Sequence, residues 1–288
     1  MRTQRIFFCI ATSFVLALAF SSLAGAQEEV GEGKLDRAEP KGTTPQKIIE
    51  RFAAREQQFK LARERYTFRQ EVKVETLDGD TVDGEYRMVS DILFNDKGKR
   101  MEQVVFAPQS TLTSISLTKE DLDDFQNHLP FVLTSDEIPE YSILYVGQQQ
   151  EDELQTYVFD IAPKQIGKGK RYFQGRIWVD NQDFQIVKTQ GMTVPQIRGG
   201  RKQENLFPKF TTWRQQVDGQ YWFPVYTRAD DILHFKTGDV HIRETLKYTD
   251  YKRFGSSVKV TYQGQEVEKV PDKEQPQPPP QPEGSPRP

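Results

Sequence analysis

From Tyr66 onward, apolar residues recur at every second position, and short turn signals cut that pattern into strands. Tyr66, Phe68, Val72 and Val74 alternate with Thr67, Arg69, Glu71, Lys73 and Glu75. A period of two puts one set on an apolar face and the other in water, as in a half-solvated antiparallel strand. Asp78-Gly79-Asp80 turns the chain, and residues 85–94 continue with Tyr86, Met88, Ile92 and Phe94 on one side. Asp96-Lys97-Gly98 turns it again, and residues 101–106 make a third strand. Successive hairpins of this kind build a meander.

The alternation resumes at 141–148 and 154–162. Residues 172–180 and 184–192 pair around Asn181-Gln182, which sets Val179 opposite Phe184 and Ile177 opposite Ile186. Residues 210–217 and 221–228 flank Asp218-Gly219, a type I′ signal, and 231–236 and 239–248 flank Thr237-Gly238. The total is roughly ten strands and two helices.

The first helix begins at Thr44-Pro45, with Thr44 as N-cap and Pro45 in the first helical position. Ile48, Ile49, Phe52, Phe59 and Leu61 form its apolar stripe over roughly five turns. Such a helix either packs on the sheet or lids an apolar cavity. The second begins at Thr118, with Asp121 completing a capping box; Leu122, Phe125 and Leu129 form its stripe and Pro130 ends it.

Trp178, Trp213, Trp222, Tyr221, Phe223, Tyr226 and Phe235 load the later strands with aromatic area. Around Asp218-Gly219 they fall on both faces: Trp213 and Trp222 on one, Tyr221 and Phe223 on the other. A sheet wet on one side does not do this. Either helices cover the second face or that face lines a cavity. The cavity candidates are Phe68, Val72, Met88, Phe94, Ile177, Ile186, Trp213 and Trp222, and each fits ordinary core packing as well.

Catalytic chemistry finds no foothold. Paired carboxylates (Asp123-Asp124, Glu151-Asp152-Glu153, Asp230-Asp231) sit in turns and on helix surfaces. There is no G-x-S-x-G elbow, and Gly167-Lys168-Gly169-Lys170 lacks the spacing of a phosphate loop. With Thr237-Gly238 as a two-residue loop, His234 faces His241, yet spacing supplies no third ligand for a metal. The one cysteine, Cys9, lies in the leader, so the mature chain has no disulfide and no thiol nucleophile. No enzyme activity, cofactor or metal is expected. A net charge of −3 also argues against a nucleic-acid partner.

The ends set the compartment. Arg2 and Arg5 precede an apolar run at 6–20 and a small-residue stretch, Ser21 to Ala26, before Gln27. This is a secretory signal, too short for a membrane span. The expected organisation is a signal peptide at 1–26, a flexible leader at 27–44, a β domain at 45–262 and a disordered Pro-rich tail at 263–288.

Taken together, an exported chain, an opening amphipathic helix, the strand Tyr66-Thr-Phe-Arg-Gln-Glu-Val, and the pair Tyr172-Phe-Gln-Gly-Arg-Ile-Trp-Val-Asp180, turn, Phe184-Gln-Ile-Val-Lys resemble the outer-membrane lipoprotein-sorting (LolA/LolB-like) family. The resemblance implies a mainly β fold: an incomplete antiparallel β-barrel (half-barrel) with the N-terminal helix and the short inserted helix as its lid. It implies a monomeric periplasmic carrier that holds a lipidated protein or a lipid acyl chain and hands it to an envelope acceptor protein. Where the carrier has an early Arg-Pro pair, this chain reads Glu85-Tyr86-Arg87-Met88-Val89, so that arginine's role is not carried over. The second expectation is an envelope regulatory or scaffold module that binds a partner protein through a strand edge and the Pro-rich tail.

Overall fold

A computed structural model of the chain describes residues 33–95, 97–198, 204–253, 261–262 and 265–266. The expected signal segment lies outside the described residues, as does the Pro-rich tail apart from 265–266. Ten strands form one antiparallel sheet: β1 (Tyr66–Asp78), β2 (Thr81–Phe94), β3 (Arg100–Phe106), β4 (Tyr141–Glu151), β5 (Leu154–Pro163), β6 (Tyr172–Asp180), β7 (Ile186–Val194), β8 (Phe210–Val217), β9 (Tyr221–Phe235) and β10 (Gly238–Arg253).

Their order across the sheet is β3-β2-β1-β10-β9-β8-β7-β6-β5-β4. Every neighbour is also a neighbour in sequence except β1 and β10, where first and last long strands join with Val72 opposite Leu246. The meander thus turns back on itself and stays open at one seam, between edges β3 and β4. This is the meander that the strand pattern predicts, left open as the incomplete barrel that the resemblance implies. The edge of β4 is covered by residues 33–36, where Asp36 and Gln148 exchange backbone hydrogen bonds of 2.8 and 2.7 Å.

Two pieces of chain fill the hollow. Helix α1 (Pro45–Arg63) starts where Thr44 Oγ1 accepts from Lys47 N at 3.3 Å. Its Ile48, Phe52 and Phe59 are buried, and Phe52 packs against Phe159 of β5 with centroids 5.7 Å apart. Each such side chain contributes about 1.5–3 kcal/mol through burial. Leu61 is exposed, a departure from the expected stripe. It lies two residues past Phe59, which is about 200° around the helix.

The second piece is the segment that bridges the seam. Helix α2 (Lys119–Asp123) carries the expected Thr118–Asp121 capping box, then widens into a π turn at Asp124–His128. This keeps Phe125 and Leu129 inside and leaves Leu122 exposed. Thr212 Oγ1 donates to Leu129 O at 2.8 Å, and Gln70 Nε2 donates to Phe125 O at 3.1 Å, so the segment is tied to β8 and β1.

Two expected registers are corrected. Between β6 and β7, Val179 faces Ile186 and Ile177 faces Thr189. The Asp180 carboxylate accepts from Gln182 N (3.0 Å) and Asp183 N (2.6 Å), which builds a longer loop than Asn181-Gln182 alone. Between β9 and β10 the turn is Lys236-Thr237, one residue earlier than expected, with Gly238 at φ 136°. His234 therefore faces Asp239, and His241 faces Ile232. Each imidazole has its own aspartate: His234 Nδ1 lies 2.8 Å from Asp239, and His241 Nε2 lies 2.6 Å from Asp230.

Both faces of the sheet are apolar in its second half, as the tryptophans suggested. On the outer face Trp178, Val158 and Val187 cluster with Trp222 and with Leu35 of the N-terminal strap. Lys188 is buried among them, 3.2 Å from Glu151 and 4.7 Å from the Trp178 ring centroid.

Candidate functional site: an aromatic cavity at the end of the helix

A cavity of about 280 Å³ opens where the last turn of α1, the first residues of β1, the end of β2 and the π turn meet. That is near the lower end of the ~300–1,000 Å³ usual for small-molecule sites. Its walls are aromatic. Phe223 of β9 lies edge-on to Phe59 of α1 at 5.0 Å and 4.7 Å from Tyr251. Phe68 of β1 lies 5.2 Å from Tyr251 and 6.2 Å from Tyr248. Phe94 and Phe125 complete the apolar lining.

Regular alternation brings Tyr248 inward, and a local irregularity brings Tyr251 beside it. Along β10 the even positions Ile242, Leu246 and Tyr248 are buried. A bulge opposite Phe68, with Asp250 at φ 57°, then adds one residue and turns Tyr251 to the same side. Tyr251 Oη donates to Pro224 O at 2.6 Å, which fixes the ring and satisfies its hydroxyl. Burial, with the neighbouring Tyr248 adding to it, pushes the Tyr251 phenol well above the usual range.

Polar groups sit at defined places in this wall. Gln70 spans the cavity floor, accepting from Arg100 at 2.8 Å while it holds Phe125 O. Behind Phe59 the buried Glu56 carboxylate meets Arg214 at 2.9 and 3.1 Å. Burial raises the Glu56 pKa, and Arg214 opposes that shift. Arg214 also donates to the carbonyls of Ile186 and Phe131, which pins the seam segment to β8. Arg63, on the last turn of α1, lines the cavity with its Nε buried and without a hydrogen-bond partner.

Of the residues proposed from sequence, Phe68 and Phe94 meet in this cavity. Val72, Ile177 and Ile186 lie in the main packed core. Met88 is half-buried on β2, with its Sδ 3.4 Å from Tyr86 Oη. Trp213 and Trp222 lie on the outer face. Trp213 borders a groove with Gln190, Arg228 and Asp230, and Trp222 Nε1 donates to Asp183 at 3.1 Å. Sequence reasoning missed Phe59, Phe125, Phe223, Tyr248, Tyr251 and Arg63 as cavity residues. Phe59 and Phe125 carried a signal, since both close a helical stripe. Tyr251 carried none, because a bulge breaks the period that would have placed it.

Among the described residues no group of three His, Cys, Asp or Glu side chains is placed to hold a metal ion. No described helix is long and apolar enough to cross a membrane.

The class of structure is an open antiparallel meander with a helix seated in its hollow. Among solved structures, the chain is similar to a DUF1329 family protein from Desulfovibrio piger (15% identity, TM-score 0.40, covering 75% of this chain and 96% of that one). It is similar to a LolA superfamily protein from Nitrosomonas europaea (17%, 0.33, 75% and 96%). It is also similar to a domain assigned to outer membrane lipoprotein sorting from Vibrio parahaemolyticus (13%, 0.33, 73% and 95%). At these scores the likeness transfers no ligand and no partner to this chain. No protein-family model matches the sequence, and no curated relative matches it.

Proposed function

We propose that this chain is an exported, non-catalytic carrier that binds a lipidated protein or a lipid acyl chain in the periplasm, in the service of outer-membrane lipoprotein sorting. The observation that carries the reading is the aromatic cavity at the end of α1, built from rings of six separate elements. Removing hydrocarbon from water into such a site is worth about 0.8 kcal/mol per CH₂. Cleavage after Ala26 and release of residues 27–288 belong to the same reading. Native mass spectrometry of the protein purified from its own envelope tests it. Acyl species bound one to one are the expected result; protein that emerges bare would contradict it.

One observation favours a second reading, a module that binds a partner protein. The edge strand β3 exposes Val104, Val105 and Phe106 beside its unpaired backbone edge. An extended peptide can add to such an edge as a further strand. In the same experiment this reading predicts a bare chain that retains one protein.

A further inference from the structure

The charges around the cavity do not balance. The innermost pair, Glu56 and Arg214, is matched within itself. Arg63 then adds a second guanidinium beside it, and no hydrogen bond or ion pair to any described residue answers that charge. Glu64, next in the chain, lines the same cavity without forming an ion pair with it. Glu137, on the seam segment, faces Lys60 at 3.8 Å instead. Burial and the like charge of Arg214 both work against the protonated guanidinium, and three carboxylates at longer range only partly offset them. Arg63 as a whole is partly exposed, but its Nε is buried without a partner, and an anion brought to it in a water-poor site gains a strong charge-assisted contact.

We infer that the cavity takes an amphiphile: a hydrocarbon tail among Phe59, Phe68, Phe94 and Tyr251, with a carboxylate or phosphate head held by Arg63. This rests on the carrier reading above and narrows it from any apolar ligand to an anionic one. The planar guanidinium suits either head, since both offer two oxygens to its fork. The position of Arg63 follows from the sequence: it ends the apolar stripe of α1 one turn after Phe59, so ring and charge share one face. A basic residue in the last helical turn is also favoured by the helix dipole. That term explains a cation at this end of α1, but not the burial of its Nε against an aromatic cavity.

Isothermal titration of the chain with decanoate, decyl phosphate and decanol, each below its micelle concentration, tests the inference. The three share a tail and differ in the head. The unaltered chain is expected to bind at least one of the two anions about tenfold or more tightly than decanol. The anion preferred separates a carboxylate source from a phosphate one. Arg63→Gln is expected to abolish the preference and leave decanol affinity unchanged, while Arg63→Lys keeps it. Arg228→Gln, on the outer face, is expected to change nothing. Equal binding of decanol and both anions by the unaltered chain would overturn the anionic head and leave an apolar carrier standing. Binding of none of the three would overturn both. The head-group comparison needs no variant, so a folding defect in Arg63→Gln does not remove the test.

Discussion

Glu56 of α1 and Arg214 of β8 meet at 2.9 Å with side-chain exposures of 0% and 1%. The contact fixes the rotation and depth of α1 in the sheet, because Glu56 also accepts from Ile186 N at 3.3 Å. A buried pair of this kind gives little net stability over apolar packing, but losing one partner strands a charge. Arg214→Leu alone is expected to lower unfolding stability by about 3–5 kcal/mol. Glu56→Leu with Arg214→Leu is expected to cost less than that single change. Urea titration of both variants and the parent reads the difference; strictly additive losses would contradict it.

Glu244 gives the chain a pH dependence in a defined direction. It is buried on β10, and burial, then the charges of Asp121 and Asp124, push its pKa up to about 8 from the ordinary carboxylate value of 4.5. Between those values the unfolded chain has lost this proton and the folded chain keeps it. Stability from this group therefore falls as pH rises from about 4.5 toward 8 and levels off above, a loss on the order of 5 kcal/mol. Glu244→Gln is expected to flatten that segment of a Tm-against-pH curve and to raise Tm at pH 8.5. An unchanged slope would show that the carboxyl is solvated.

The two faces of the sheet separate cavity from packing. Phe68→Asp places a charge in the aromatic wall and is expected to weaken binding of a ten-carbon amphiphile by about tenfold or more. Trp213→Ala and Trp222→Ala alter the outer face and are expected to leave that affinity within about twofold. Titration calorimetry on the three variants makes the comparison. The opposite ranking would move the site to the groove beside Trp213.

Gly175 and Gly191 face each other on β6 and β7, and the Phe173 ring covers the second of them. A Cβ on Gly191 would come 2.7 Å from Phe173 Cζ and also meet the backbone of Gln174. Gly191→Ala is expected to displace Phe173 and cost about 1–3 kcal/mol, the usual range for overpacking a core. Denaturant midpoints test it, and a neutral result would mean that the strands separate there easily.

Much of the sheet was legible in sequence because alternation and turn residues agree. The boundaries of β1, β6 and β8 follow directly from where Tyr66, Asp180 and Asp218-Gly219 stand. Register was less legible. Asp180 caps the loop after β6, and Gly238 takes a conformation that shifts the next hairpin by one residue. Neither event changes the apolar pattern, so neither leaves a mark in it. The cavity was legible in part. Phe68 and Phe94 alternate onto the inner face, whereas Tyr251 enters through a bulge and Arg63 through the end of a helix. Val72, Ile177 and Ile186 share the inner face with the cavity residues, and pattern alone cannot distinguish a wall from a filled core.

The most direct measurement is photo-crosslinking with a fatty acid that carries a diazirine on its tail, followed by peptide mapping. A tail held at the end of α1 places the label on the segments containing Phe59, Phe68, Phe94, Phe125 and Tyr251. Label confined to the peptides of Trp213 and Trp222, or spread evenly over the chain, would contradict the site.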